Sequence, residues 1–132
     1  MLESSSAASE PIDDEDLLWR RIAPAGLHQE TPERFRPNSL AFQDNRPGSD
    51  GLSVHLARLT TIKSVSERYP EYSVVEFPAK LPRSMGYEVV HDPTPDDPSH
   101  TLIKPTPNRA HSKTIAKSDR LRWVRLHLPV TG

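Results

Sequence analysis

Apolar positions along this chain come in short runs separated by long polar stretches. Leu17 to Ala23 (Leu-Leu-Trp-Arg-Arg-Ile-Ala) is a compact run halted by Pro24 and reads as a strand. Residues 24–51 are polar and proline-rich and read as a long loop carrying one short segment, Ser39 to Phe42, with a turn at Gly48 to Gly51. Leu52 to Leu59 fits either a strand or a helix. Thr60 is placed to cap a helix that ends at Pro70, because Ile62, Val65 and Tyr69 fall on one helical face. Tyr72 to Phe77 is the clearest strand, rich in β-branched and aromatic residues.

A short helix follows over Ala79 to Met85, with Leu81 and Met85 on one face, Pro82 in its first turn and Gly86 at its C′ position. Tyr87 to Val90 and Thr101 to Lys104 read as strands on either side of a His91–His100 loop. Asn108 can cap a last helix from Arg109 to Ser118. Beyond it Val124, Leu126, Leu128 and Val130 alternate with Arg125, His127 and Pro129, the period of an extended segment. The summed expectation is an α+β domain: a small, mostly antiparallel sheet of four or five strands with two or three helices.

Length and composition narrow this picture. At 132 residues the chain is one domain in size. Hydrophobic content is 34%, with 14 prolines and 5 glycines, which points to a modest core and long ordered loops. With no cysteine, disulfide and thiolate chemistry are excluded. No apolar run is long enough to cross a membrane as a helix, and the N-terminus lacks the basic and apolar regions of a signal peptide. The expectation is a cytoplasmic protein without a membrane partner or a cofactor.

Charge is balanced in total, at −1, but not along the chain. Glu3, Glu10, Asp13, Asp14, Glu15 and Asp16 precede any base, leaving 17 bases against 12 acids beyond them. Residues 1–13 therefore read as a disordered acidic arm, 14–124 as the domain, and 125–132 as an extended tail. The basic excess is late: Arg109, Lys113, Lys117, Arg120, Arg122 and Arg125 against Asp119 alone. That end can pair with the acidic arm or meet a polyanion, although only Trp123 interleaves there as nucleic-acid contacts require.

Candidate chemistry centres on the loop His-Asp-Pro-Thr-Pro-Asp-Asp-Pro-Ser-His (91–100), stiffened by three prolines. His91 and His100 lie nine apart, too far for a diagnostic metal pair, and no metal site is expected. His100, at a strand entrance, is the candidate general acid/base; its plainer role is to hydrogen-bond the loop into shape. Arg36, Ser39 and Ser53 form a second set able to grip an anion, with Arg83 as a possible addition. Arg20 and Arg21 must point to opposite faces of the first strand, and whichever is covered needs a partner, for which Asp92 or Glu76 is available. No Gly-x-Ser-x-Gly elbow, no glycine-rich phosphate loop and no glutamate motif of an ADP-ribosyltransferase type is present.

Several segments occur in a suggestive order. They are Leu-Trp-Arg-Arg-Ile (18–22), Arg-Pro-Asn-Ser-Leu-Ala-Phe (36–42), Leu-Ser-Val (52–54), Phe77–Gly86 with Arg83, Asp-Asp-Pro-Ser-His (96–100), and Ala116-Lys117 before Trp123-Val124. The series resembles a family of small uncharacterised bacterial proteins over about residues 17–124. The resemblance implies a bacterial cytoplasmic protein and carries no activity; Pro82 departs from its pattern. Two functions are then expected. The first is an interaction or accessory module that binds a protein partner in a multi-gene system. The second is a small enzyme or toxin acting on a nucleotide or nucleic acid, with His100 as acid/base and Arg20, Arg36, Ser39 and Arg83 holding the ligand.

Overall fold

The computed structural model describes residues 9–43 and 50–128. Residues 1–8 of the expected arm, the start of the turn at Gly48 and the last four residues of the expected tail lie outside the described residues. Among the described residues, eight strands and three helices form the fold: β1 (Leu17–Ile22), β2 (Leu27–Thr31), β3 (Arg34–Pro37), β4 (Leu52–Leu56), α1 (Ile62–Arg68), β5 (Ser73–Pro78), α2 (Lys80–Ser84), β6 (Glu88–His91), β7 (His100–Lys104), α3 (Arg109–Ala116) and β8 (Arg122–Arg125).

Six strands make one sheet in the order β6-β7-β4-β1-β5-β8, and β2 and β3 form a separate hairpin. Every pairing is antiparallel. The α+β expectation holds, but the sheet is larger than four or five strands. The added hairpin lies inside the stretch expected as a loop. β2 is exposed beyond half-buried Leu27, and β3 buries only Pro37 with Phe35 and Arg36 half-buried, so no apolar alternation marks the hairpin. The ambiguous Leu52–Leu59 run is strand β4 followed by a 3-10 turn, Ala57–Leu59.

Alternation divides the sheet into two faces. Leu18 and Ile22 of β1 lie with Leu52, Leu56, Phe77 and Ile103 on a fully buried face. That face is closed by Phe42 from the 3-10 turn Ser39–Phe42, by Ile115 of α3, and by Ala79 beside α2. Gly26 permits the close approach of β1 to this turn: a Cβ there would sit 3.1 Å from the Ile22 methyl and 3.3 Å from Ala41 Cβ. On the opposite face Trp19, Val65 and Val74 make a smaller cluster under α1, leaving the β4–β7 ladder lined by Ser53, His55 and His100.

Local signals place the helices. Thr61, rather than Thr60, caps α1 by accepting from the Ser64 amide. Asn108 caps α3 through the His111 amide. Gly86 follows α2 with φ +94°, the left-handed C′ conformation that glycine adopts without strain. Pro82 sits within the single-turn α2, where the missing amide bond is tolerated.

The expected boundaries of the domain shift at both ends. Ile12 is only 8% exposed and joins the main core, its carbonyl accepting from Arg83 at 2.6 Å. Arg83 also pairs with Asp14, and Arg58 with Glu10 and Asp16. Residues 10–13 are therefore docked on the body, acids onto two arginines, and are not part of a free arm. At the other end Arg125 still belongs to β8, and the His127 amide donates to Ser73 Oγ at 2.8 Å. Ile12→Ala is expected to lower stability by about 2 kcal/mol or more. An unchanged urea midpoint would show that the segment is not docked.

Candidate functional site

The His91–His100 loop is a rigid bracket. Its tip is a tight turn in which Thr94 and Asp97 exchange two backbone hydrogen bonds. Arg68 of α1 donates to the Asp96 carbonyl at 3.0 Å, and the Leu56 amide donates to the Ser99 carbonyl. His91 accepts from the Glu10 amide at Nδ1 (2.8 Å), so its Nε2 carries the proton and donates to the Pro98 carbonyl (2.7 Å). His91 thus braces the loop from the core face, and His100 lies on the other face. The two histidines do not converge.

Two aspartates of this loop orient two imidazoles that are direct cross-strand partners, His55 on β4 and His100 on β7. His100 Nδ1 faces the Asp92 carbonyl at 2.9 Å and an Asp92 carboxylate oxygen at 3.2 Å. Neither oxygen can donate, so in the neutral ring Nδ1 holds the proton. Nε2 is then a bare acceptor, and Ser53 Oγ lies 3.2 Å from it. A serine hydroxyl, an imidazole and an aspartate thus form a relay of the kind that activates a hydroxyl.

His55 is held the same way but buried, at 4% exposure. Its Nδ1 lies 2.9 Å from Ser99 Oγ and 3.2 Å from Asp97 Oδ2. The Ser99 hydroxyl donates to Asp97 Oδ1 at 2.6 Å, so His55 Nδ1 must be the donor in its own contacts. Burial pushes the His55 pKa down to about 4, against the pull of Asp97. Burial works to raise the Asp97 pKa, but hydrogen bonds from Ser99 and the neighbouring His55 outweigh it, and the net shift is downward. Tyr69 packs over His55 with ring centroids 6.4 Å apart, and the Arg21 guanidinium lies 3.8 Å from the Tyr69 centroid.

Beside the relay opens a cleft of about 320 Å³, lined by Arg20, Arg21, Leu40, Gln43, Ser53 and Tyr72. Arg20 secures its wall: Nε donates to the Ala41 carbonyl at 2.7 Å and Nη1 to the Ser53 carbonyl at 2.8 Å. Neither Glu76 nor Asp92, the carboxylates expected to meet it, does so. Glu76 instead accepts from the Trp19 indole and from Arg122, and Asp92 belongs to His100.

The other sequence candidates go elsewhere. Arg36 and Ser39 share a second cleft of about 250 Å³ with His28, Lys113 and Lys117. There Arg36 is paired with Glu30 at 2.6 Å and Asn38 caps the Ser39–Phe42 turn. Arg83 ties down the N-terminal acids. Arg36 and Ser39 line one cleft, whereas Ser53, expected beside them, lies with His100 and Arg20.

Sequence reasoning misses His55, and it misses that Asp92 and Asp97 each serve one imidazole. The signal for His55 is the alternation Leu52-Ser53-Val54-His55-Leu56, which puts serine and histidine on one face once the run is taken as a strand. No family model matches this chain, and no curated protein or solved structure is significantly similar to it.

Proposed function

We propose that the domain is a small enzyme acting on a phosphoester of a nucleotide or nucleic acid, with His100 as its acid/base. The observation that supports this reading is the Ser53–His100–Asp92 relay opening onto a cleft bordered by Arg20 and Arg21. Arginine beside an activated hydroxyl suits phosphorus chemistry, because a guanidinium stabilises the charge on the equatorial oxygens. In this reading His100 Nε2 takes the Ser53 proton as Ser53 Oγ attacks phosphorus. The new O–P bond forms, the bond to the leaving oxygen breaks, and the proton passes from Nε2 to that oxygen; water, giving its proton to Nε2, then attacks phosphorus, the Ser53 O–P bond breaks, and the proton returns to Ser53 Oγ. Asp92 keeps Nδ1 protonated and the ring aligned throughout. Arg36 and Arg83 have no part in the step.

The test is turnover of bis(4-nitrophenyl) phosphate and of a quenched fluorescent RNA oligonucleotide. His100→Ala and Ser53→Ala are each expected to reduce the rate about 10²-fold or more, with stability close to wild type. No turnover by the wild type, or full turnover by both variants, overturns the reading. Turnover of 4-nitrophenyl acetate alone moves the relay to acyl chemistry.

A second reading, the accessory module that binds a protein partner, is favoured by β8. It forms one edge of the sheet and continues into exposed Leu126 and Leu128. A partner strand added at this edge would cover both leucines. Under that reading Leu126→Glu with Leu128→Glu abolishes binding, and His100→Ala leaves it unchanged.

A further inference from the structure

The late basic residues of the chain do not spread evenly over the surface. Lys113, Lys117 and Arg122 meet the β2–β3 hairpin across two adjoining clefts, of about 410 Å³ and 250 Å³, which share Arg36, Pro37, Ala116 and Lys117. We infer that this groove seats a single strand of nucleic acid and leads it toward Ser53 and His100. The inference rests on the phosphoester reading above and names its substrate as a polynucleotide.

Three features carry it. The first is charge. Arg34, Arg36 and Arg122 line the two clefts with Lys113 and Lys117, against Glu30, Glu33 and Asp119. Glu30 is taken up by Arg34 and Arg36 together, at 3.2 and 2.6 Å. Lys113 on α3 and Lys117 at its C-cap are one turn apart, the Lys117 amide donating to the Lys113 carbonyl, and both are exposed. Among the described residues neither has a carboxylate partner. Cations spread along a groove fit a chain of phosphates, which one phosphate would not occupy.

The second feature is the aromatic content. Phe35 and Trp123 line the larger cleft, both partly exposed, and the Trp123 indole donates to the Phe35 carbonyl at 3.0 Å. Flat apolar side chains among cations suit unpaired bases, whose faces a duplex keeps stacked and hidden.

The third is continuity. The turn Ser39–Phe42 borders both regions: Ser39 lines the basic groove, and Leu40 and Ala41 line the Ser53 cleft. Leu40, at the crossing, is 57% exposed. A strand crossing this turn brings a phosphodiester from the lysines to the relay.

The test is fluorescence anisotropy of a labelled 12-nucleotide RNA, its DNA counterpart and a 12-base-pair duplex, each titrated with full-length protein at several salt concentrations. Single strands are expected to bind, with a steep salt dependence. Lys113→Glu with Lys117→Glu is expected to weaken binding about tenfold or more and to reduce the log–log salt slope by roughly 1.4, the value for two phosphate contacts on a single strand. Absence of single-strand binding, equal affinity for the duplex or for polyglutamate, or an unaffected lysine variant overturns the inference. Binding without cleavage keeps the groove and overturns the phosphoester reading; cleavage of the small phosphodiester without strand binding does the reverse.

Discussion

Phe77→Ala will remove about 3–5 kcal/mol of stability, a large fraction of the roughly 5–15 kcal/mol that holds a domain together. Phe77 is fully buried near the end of β5 and meets Phe42 edge-on, with centroids 6.0 Å apart and planes at 77°. The aromatic pair adds about 0.5–1.5 kcal/mol to the area it buries. The change has a local consequence as well. Phe42 anchors the turn that borders both clefts; its carbonyl accepts from Ser112 Oγ at 3.0 Å, and the Ala41 carbonyl accepts from Arg20. Turnover of the Phe77→Ala protein should therefore fall further than its folded fraction does. Urea unfolding gives the first quantity and turnover per folded molecule the second. A loss below about 1 kcal/mol would mean that the site collapses around the missing ring.

Acid will destabilise the fold through His55 by about 3 kcal/mol between pH 7 and pH 4. The ring titrates near 6.5 when unfolded and near 4 when folded. Between those values the unfolded chain binds the proton that the folded chain refuses. Stability is thus intact above pH 6.5, falls progressively with pH, and has lost the full increment below pH 4. Asp97 acts in the same direction at lower pH, because its depressed carboxyl stabilises the fold only while ionised. His55→Asn retains a donor for Ser99 and Asp97 and cannot charge. Plotted against pH, the stability difference between wild type and His55→Asn should change by about 3 kcal/mol over this window, with the wild type losing ground as pH falls. A flat difference would place His55 in a solvated environment.

The parts of this architecture that are legible in the sequence are those fixed by neighbours in the chain. Asn108 caps α3 by reaching an amide three residues on, and Gly86 ends α2 through its own φ. Val74, Val75 and Phe77 declare β5 by side-chain shape alone. The rest depends on distant partners. Ile12 is one apolar residue among acids, and Arg58, Arg83 and His91, far along the chain, help make a dock for its segment. The hairpin β2–β3 carries its signal in backbone pairing rather than in hydrophobic period.

The site divides the same way. His100 stands out in the sequence because its loop is dense in proline and aspartate. Its meeting with Ser53 depends on the register of β4 against β7, which aligns Ser53 with Leu102 and His55 with His100. Ala57 and Leu59 prolong the apolar run of β4 and obscure its alternation, so the register is hidden from a reading of the chain alone. Arg20 shows the limit most clearly: two of its donors meet backbone carbonyls, which no residue type announces.

The strand order also has a consequence for synthesis. β1 sits inside the sheet between β4 and β5, yet precedes both in the chain. Its apolar side therefore waits while the ribosome makes the residues up to Pro78, several seconds at roughly 5–20 residues per second. Leu18 and Trp19 gain a native partner once β4 is made, but Ile22 has none until β5 follows, and one side of β1 stays unpaired throughout. A nascent chain arrested before β5 is complete should be the form of this protein most dependent on chaperones.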